Sequence, residues 1–370
     1  MIPVNEPLLG GNALKYVDEC MNTGWVSSEG RFIPQFEGSW AAYCGMDHGV
    51  AVSNGTTALQ VAVACLDLEP GDEVIIPTFT IVSCAIAVIE AGATPVLVDC
   101  DPRTWCMDVE QVKAKVTART RAIMPVHIYG HPADMDPFCE LAGKHDLYLV
   151  EDAAEAHGAE YKGRRVGGIG DLSCFSFYAN KIITTGEGGM VLARRAEHAE
   201  RARSLRNLSF RKDRRFYHTE LGHNYRLTNL QAAIGVAQVE QIEDHVRRKR
   251  WMGKFYTERL GHLSQVALPV EEPWAKNVYW MYGVVLADDV KMDATEFARR
   301  LYDQGVDTRP FFIGMHEQPV FQKRGLFLGE HYPVSERIAR RGLYLPSGLA
   351  LTEEQAEAVC NAVIKVLGQA

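Results

Sequence analysis

The 370-residue sequence predicts an α/β protein: a large domain on a mixed, mostly parallel sheet, followed by a small C-terminal α+β domain. Two observations carry this. Short runs rich in valine and isoleucine, apolar throughout rather than alternating, recur over the first two thirds with helical stretches between them. That pattern marks strands covered on both faces. The length also exceeds what one core usually serves, so about two domains are expected.

In chain order, Val50-Ala-Val52 precedes an apolar helix over Thr57–Leu66. Glu73-Val-Ile-Ile76, Pro95-Val-Leu-Val98, Ala122-Ile-Met-Pro-Val126 and Tyr148-Leu-Val150 follow as further strands, with helical segments between. Asp171–Phe177 and Gly189–Leu192 are two more strands close together, which makes the sheet mixed. Helical periodicity from Asn229 to Arg250 predicts a connecting helix. Trp280–Leu286, a helix over Ala294–Gly305 and a last helix from Glu353 form the small domain. The boundary is placed at 245, giving domains 1–245 and 246–370.

Hydrophobic residues make up 47% and charged residues 23%, as in ordinary globular proteins. A net charge of −8 argues against a nucleic-acid surface, which needs clustered positive charge. The basic stretches Arg201–Arg215 and Arg247-Arg-Lys-Arg250 are interrupted or short, and read as solvated helix faces or a local anion contact. No apolar run of about 18 residues is present to cross a membrane. Met1-Ile-Pro-Val-Asn-Glu-Pro7 lacks the plan of a signal peptide. Nine scattered cysteines form neither a Cys-x-x-Cys pair nor a zinc-like spacing, so no metal is expected and reduced thiols in a cytoplasm fit best.

The chemistry centres on Lys181, in Ser176-Phe-Tyr-Ala-Asn-Lys181-Ile-Ile-Thr-Thr-Gly-Glu-Gly-Gly189. Upstream, the apolar run Leu147-Tyr-Leu-Val150 ends in Glu151-Asp152. A buried strand delivering an acid, followed by a lysine on a glycine- and serine-rich turn, suits pyridoxal phosphate. That cofactor needs an amine for a Schiff base and a carboxylate to keep its ring nitrogen protonated. A lone lysine is usually solvated surface; its place among apolar runs favours the functional reading. Ser53-Asn54-Gly55-Thr56-Thr57 lies between a strand and a helix. It reads equally as a phosphate cup at a helix N-terminus or as an ordinary N-cap. Neither a Gly-x-x-x-x-Gly-Lys-Ser/Thr nor a Gly-x-Gly-x-x-Gly opens a helix, which sets nucleoside triphosphates and nicotinamide aside. Gly167-Gly-Ile-Gly170 precedes a strand and reads as a turn. His127 ends a strand on the side where ligands gather in open α/β folds, a candidate substrate contact. His157 is a candidate support for the Asp152 carboxylate.

Read in order, these segments resemble the aspartate-aminotransferase fold (fold type I of pyridoxal phosphate enzymes). Within it they are similar to the sugar aminotransferases of the DegT/DnrJ/EryC1 family. The resemblance runs from Asn22-Thr-Gly-Trp-Val-Ser-Ser-Glu-Gly-Arg-Phe-Ile33 through Ser53–Leu59 and Glu151-Asp-Ala-Ala-Glu-Ala-His-Gly158 to the lysine segment and Gly222-His-Asn-Tyr-Arg-Leu-Thr-Asn229. It implies that Lys181 holds the cofactor and moves protons, and that Asp152 pairs with the pyridinium nitrogen. Gly55, Thr56 and Ser176 would bind the phosphate, reached by Asn224 from a neighbouring subunit, so that an obligate homodimer shares its active sites. Glu155 would stand near the phenolic oxygen, where many relatives have glutamine. Ile81 occupies the place of an aromatic ring over the cofactor, without the ~0.5–1.5 kcal/mol that stacking adds to area burial. Ile313-Gly314 stands where relatives commonly have His-Pro.

On the substrate side, Trp25, Ser27 and Ser28 lie in a segment the family uses near its substrate. His316 and Arg309 are candidate contacts, or equally a satisfied structural histidine and a domain-bridging ion pair. A dehydrating branch of the family has histidine at the lysine position, so Lys181 implies transamination. The implied donor is L-glutamate and the implied acceptor a nucleotide-linked 4-keto-6-deoxyhexose, with GDP-4-keto-6-deoxymannose first. Amination of a 3-keto sugar and a non-catalytic cofactor-binding regulator are the alternatives.

Overall fold

The computed structural model describes residues 1–211, 213–214 and 216–368. A seven-stranded sheet has the order His48–Val52, Gly189–Ala193, Leu172–Ser176, Tyr148–Asp152, Thr120–Ile123, Glu73–Pro77, Thr94–Val98. Gly189–Ala193 runs antiparallel to both its neighbours, and the pairs from Leu172–Ser176 onward are parallel. The predicted mixed, mostly parallel sheet is therefore present, and three of its strands, Glu73–Pro77, Leu172–Ser176 and Gly189–Ala193, are buried along their whole length. Parallel strands all end at one side, so Pro77, Asp152 and Ser176 close their strands at a common edge.

Several boundaries differ from the sequence reading for local reasons. The fourth strand in the chain stops at Ile123, two residues before Pro125, whose nitrogen has no proton for the ladder. The helical stretch from Asn229 is two helices, Asn229–Val239 and Ile242–Leu260, the first begun by a capping box between Thr228 and Gln231. Close packing against it is possible because residue 235 is glycine: a Cβ there would lie 2.7 Å from the Phe36 ring.

A four-stranded antiparallel sheet follows, ordered Val266–Ala267, Tyr282–Leu286, Gly342–Leu345, Arg309–Pro310. Its core gathers Met252, Tyr256, Leu260, Phe297, Leu301 and the final helix Glu353–Leu367. The helix Ile242–Leu260 gives Ile242 and Val246 to the first core and Met252 to the second, and we propose that the chain divides within it.

The basic stretches are only partly solvated faces: Arg211, Arg214 and Arg247 are exposed, while others are engaged. Arg206 is tied to Glu37 and the Ala51 carbonyl, Arg203 to the Gly49 carbonyl, and Arg201 to Asp67 and Glu220. Lys212 and Arg215 lie outside the described residues. In the second stretch Lys249 is fully buried, and Arg248 donates to the carbonyls of Leu349 and Leu351.

The glycine turn has a specific cause. Glu151, wholly buried, accepts from the amides of Gly167 (2.7 Å), Ile169 (2.7 Å) and Gly170 (2.6 Å) and from His127 Nε2 (3.0 Å). The chain folds around that carboxylate so tightly that side chains at Gly168 and Gly170 would strike the carbonyls of Cys44 and Leu149. Burial pushes the Glu151 carboxyl up, but His127 and the amides of Gly170 and Gly167 more than reverse this, leaving it below the usual range.

A depressed folded-state pKa stabilises above the unfolded value, about 4.3, and that contribution is lost as pH falls through the folded one. Glu151→Gln is expected to lower the unfolding free energy at pH 7 by about 3 kcal/mol, because buried donors lose a charged acceptor. Urea unfolding of both proteins from pH 7 to about pH 3 checks this: the difference between them should hold down to about 4.3 and shrink below it.

Candidate active site

Asp152 ends its strand at the sheet edge, and Lys181 follows on the turn between Leu172–Ser176 and Gly189–Ala193. Threonines brace that turn. Thr184 Oγ1 donates to the Phe177 carbonyl (2.9 Å) and accepts from the Gly186 amide (2.9 Å), and Thr185 Oγ1 donates to the Glu187 carbonyl (2.7 Å). Lys181 is thus presented on a rigid loop although no regular element carries it.

The lysine side chain is 10% exposed. Its Nζ lies 3.6 Å from the centre of the Trp280 ring and 4.0 Å from Glu155 Oε1. Burial lowers the Lys181 pKa, and the charges of Glu155 and Asp152 oppose that only in part. Burial pushes the Glu155 carboxyl up to about 7, against the pull of Lys181 and of the Tyr129 amide, which donates to Glu155 Oε2 (2.8 Å). Tyr129 adopts a left-handed backbone (φ 51°), a strained conformation for a bulky residue, and so aims that amide at Glu155. Asp152 accepts from the Ala154 amide (3.1 Å) and from Cys84 Sγ (3.2 Å), and burial raises its pKa.

Asn54 caps the helix Gly55–Ala64 through Thr57. The amides of Gly55 and Thr56 stand in its first turn, where the helix supplies no acceptor and its dipole favours an anion. A Cβ on Gly55 would sit 2.7 Å from Ser176 Cβ, so the glycine leaves open a cradle beside that hydroxyl. Thr56 Oγ1 lies 2.8 Å from Ser83 Oγ at its rim. Amine, ring-nitrogen acid and phosphate cradle converge from separate elements on one edge, and these residues fit pyridoxal phosphate. Ile81 opens this edge to solvent, 43% exposed.

Other expected residues lie elsewhere. His127 does not touch substrate: it is fully buried, accepting from the Ala133 amide at Nδ1 (3.0 Å) and donating from Nε2 to Glu151. His316 is likewise consumed, between Thr78 Oγ1 (2.9 Å) and Glu336 Oε1 (3.1 Å). His157 makes no hydrogen bond to Asp152. It packs among Trp40, Phe175 and Phe177, and burial with the nearby Lys181 charge takes its pKa down to about 3.

Arg309 is exposed, paired with Asp307 at 2.7 Å and opposite Tyr344 in the small sheet. Asn224 is exposed, accepting from Arg226 Nε (2.9 Å), and the next residues, Tyr225 and Arg226, pair with Ser53 and Val52 beside the cradle. Trp25 and Ser27 are exposed and Ser28 half-buried, on a segment pinned by Asn229, whose Nδ2 donates to the Trp25 carbonyl (2.7 Å).

Sequence reasoning missed Trp280, Tyr129 and Cys84. Only Tyr129 left a signal: Gly130 follows it with φ 103°, and a Cβ there would lie 2.7 Å from the Trp280 nitrogen, marking where distant chain docks.

The chain matches the DegT/DnrJ/EryC1/StrS aminotransferase family over residues 7–364. It is 42% identical to the GDP-perosamine synthase of Caulobacter vibrioides over 367 residues, covering 99% of this chain and 98% of that protein. With the GDP-perosamine synthase of Escherichia coli O157:H7 it shares 39% identity, covering 98% and 97%. Among solved structures it resembles Streptomyces venezuelae DesV in complex with a ketimine intermediate, at a TM-score of 0.90 and 36% identity, covering 96% and 94%. The chain belongs to this aminotransferase family; it is an enzyme, a sugar transaminase, and its cofactor is pyridoxal phosphate.

Gly55→Ala would press a methyl group against Ser176 and displace the cradle. Overpacking of this kind costs about 1–3 kcal/mol, so affinity for pyridoxal phosphate should fall at least about fivefold. Absorbance titration of the apoprotein with the cofactor measures it, and unchanged affinity would show that the phosphate binds elsewhere.

Proposed function

We propose that this family member transfers an amino group from L-glutamate to C4 of GDP-4-keto-6-deoxymannose, giving GDP-perosamine. The supporting observation is end-to-end similarity to two proteins of that activity, joined to a cleft with Lys181 between Trp280 and Glu155. When bound, pyridoxal phosphate supplies an aldehyde that combines with amines and a ring that accepts the electron pair left by a departing proton.

The chain's own residues do the rest. Lys181 Nζ is the amine placed to hold the aldehyde and the base placed to carry a proton. Both tasks need it neutral, and burial brings its pKa down toward that state. Asp152, kept in place by Ala154 and Cys84, is the acceptor that holds a proton on the ring nitrogen. Glu155, pushed up to about 7, holds or releases a proton 4.0 Å from Lys181 near neutral pH, which a glutamine there could not do. The Gly55 and Thr56 amides anchor the phosphate while groups at the other end change partners.

We infer further that two copies share their sites. Asn224 is exposed, its side chain held by Arg226, and Leu14, Trp25 and Leu221 are large exposed apolar side chains that a partner subunit would cover. A cytoplasmic location belongs to the same reading; among the described residues no helix is long and apolar enough to cross a membrane.

The test mixes holoenzyme with L-glutamate, then with GDP- or dTDP-linked keto sugars, and identifies products by mass spectrometry and NMR. Loss of the bound cofactor's visible absorption, then amination at C4 of the GDP sugar, is expected. A product aminated at C3, or from the dTDP sugar alone, would replace the assignment. Lys181→Ala should retain cofactor in the cradle with turnover reduced at least about 10⁴-fold; normal turnover would remove Lys181 from the reaction.

A further inference from the structure

Lys249 is the least expected charge in the molecule. It is 1% exposed, in the middle of the helix Ile242–Leu260, and has no carboxylate partner among the described residues. Its ammonium instead donates to two main-chain carbonyls, those of Trp280 (2.7 Å) and Ser347. A lysine buried without an opposite charge is costly, and burial lowers its pKa to about 7. An apolar side chain of similar length would fill the space without that cost, so the donors themselves are what the position uses.

What they hold leads to the cofactor lysine. Trp280 precedes the strand Tyr282–Leu286, and its ring is the surface beneath Lys181 Nζ. Its indole Nε1 donates to the carbonyl of Asn180, the residue before Lys181 (2.8 Å). The same carbonyl accepts from Asn5 Nδ2 (3.2 Å), and the Ser347 amide donates to the Val4 carbonyl (2.8 Å). Lys249 therefore joins the Trp280 segment, which borders the Lys181 turn, to the Ser347 segment, which reaches that turn through Val4 and Asn5.

We propose that Lys249 is a positioning residue that sets the Trp280 ring under Lys181, and so sets how readily Lys181 gives up its proton. The π face of an indole stabilises an ammonium above it, so a displaced ring lets Lys181 lose its proton more easily. Glu155 and Asp152 face Lys181 and His157 lies near it; among the described residues Lys249 hydrogen-bonds only to carbonyl oxygens. The direction discriminates. Were Lys249 acting only as a neighbouring positive charge, removing it would make Lys181 harder to deprotonate.

The inference rests on Lys181 as the cofactor's lysine only for its functional meaning, and the measurement can be made on the apoprotein. Competitive acetylation with trace acetic anhydride across pH, with the Lys181 peptide quantified by mass spectrometry, gives the midpoint for that amine. Lys249→Met and Trp280→Leu should each lower the midpoint by about half to one pH unit, and the double variant should fall no further than either alone. Lys249→Gln, which keeps N–H donors, should restore most of the shift, and it also serves if Lys249→Met does not fold. A midpoint that stays or rises in Lys249→Met or, failing that, falls fully in Lys249→Gln, overturns the proposal. So does an unchanged midpoint in Trp280→Leu. Borohydride trapping of the holoenzyme separately asks whether position 181 carries the cofactor, so the two readings fail independently.

Discussion

An ammonium held beside two carboxyls in a nearly dry cleft is the constraint on which the rest of the structure depends. At 4.0 Å, the separation of Lys181 Nζ and Glu155 Oε1, two unit charges interact by about 4 kcal/mol at an effective dielectric constant of 20. Withdrawal from water works against each charge separately, so Lys181 is shifted down while Glu155 and Asp152 are shifted up. The cleft is thereby poised to exchange protons near neutrality. Each surrounding contact (the Tyr129 amide, Cys84, the Ala154 amide, the Trp280 ring) moderates that balance without abolishing it.

Directly beside this reactive cluster is an inert one of similar composition. Glu151 and Asp152 are consecutive on a strand, so their side chains point to opposite faces of the sheet. Glu151 is saturated by three amides and His127, and it is shifted down where its neighbour is shifted up. Two buried carboxylates one residue apart thus have opposite roles. The one with every acceptor site filled organises a turn. The one with unfilled acceptor capacity faces the cleft.

The C-terminal part contributes more than a cover. Its Trp280 reaches back across the chain, docked where Gly130 allows close approach, and supplies both the face beneath Lys181 and a hydrogen bond to the preceding residue. The geometry around the lysine therefore depends on how the two cores meet along Ile242–Leu260, and Lys249 lies at that junction.

Much of this was legible in the residues alone. Apolar runs of strand length, Gly55 after a cap, Lys181 on a glycine-rich turn and Asp152 at a strand end are local patterns, and the main sheet and the candidate cofactor site follow from them. Periodicity could not separate His127 and His316 from true ligand contacts, because a histidine's role depends on whether both ring nitrogens are already engaged. Those partners, Glu151 with Ala133 and Thr78 with Glu336, come in part from distant segments. Nor could a run reading Arg-Arg-Lys-Arg reveal that its lysine is buried, since helix faces are assigned by what packs against them. The sequence by itself determined the fold class and marked Lys181, Asp152 and the Gly55 turn as candidates, because each arises from chain neighbours or a single strand or helix end. The tertiary structure alone decided which charges are dry, which donors are free and which ring lies under the lysine. Those properties arise only where segments far apart in the chain exclude water together.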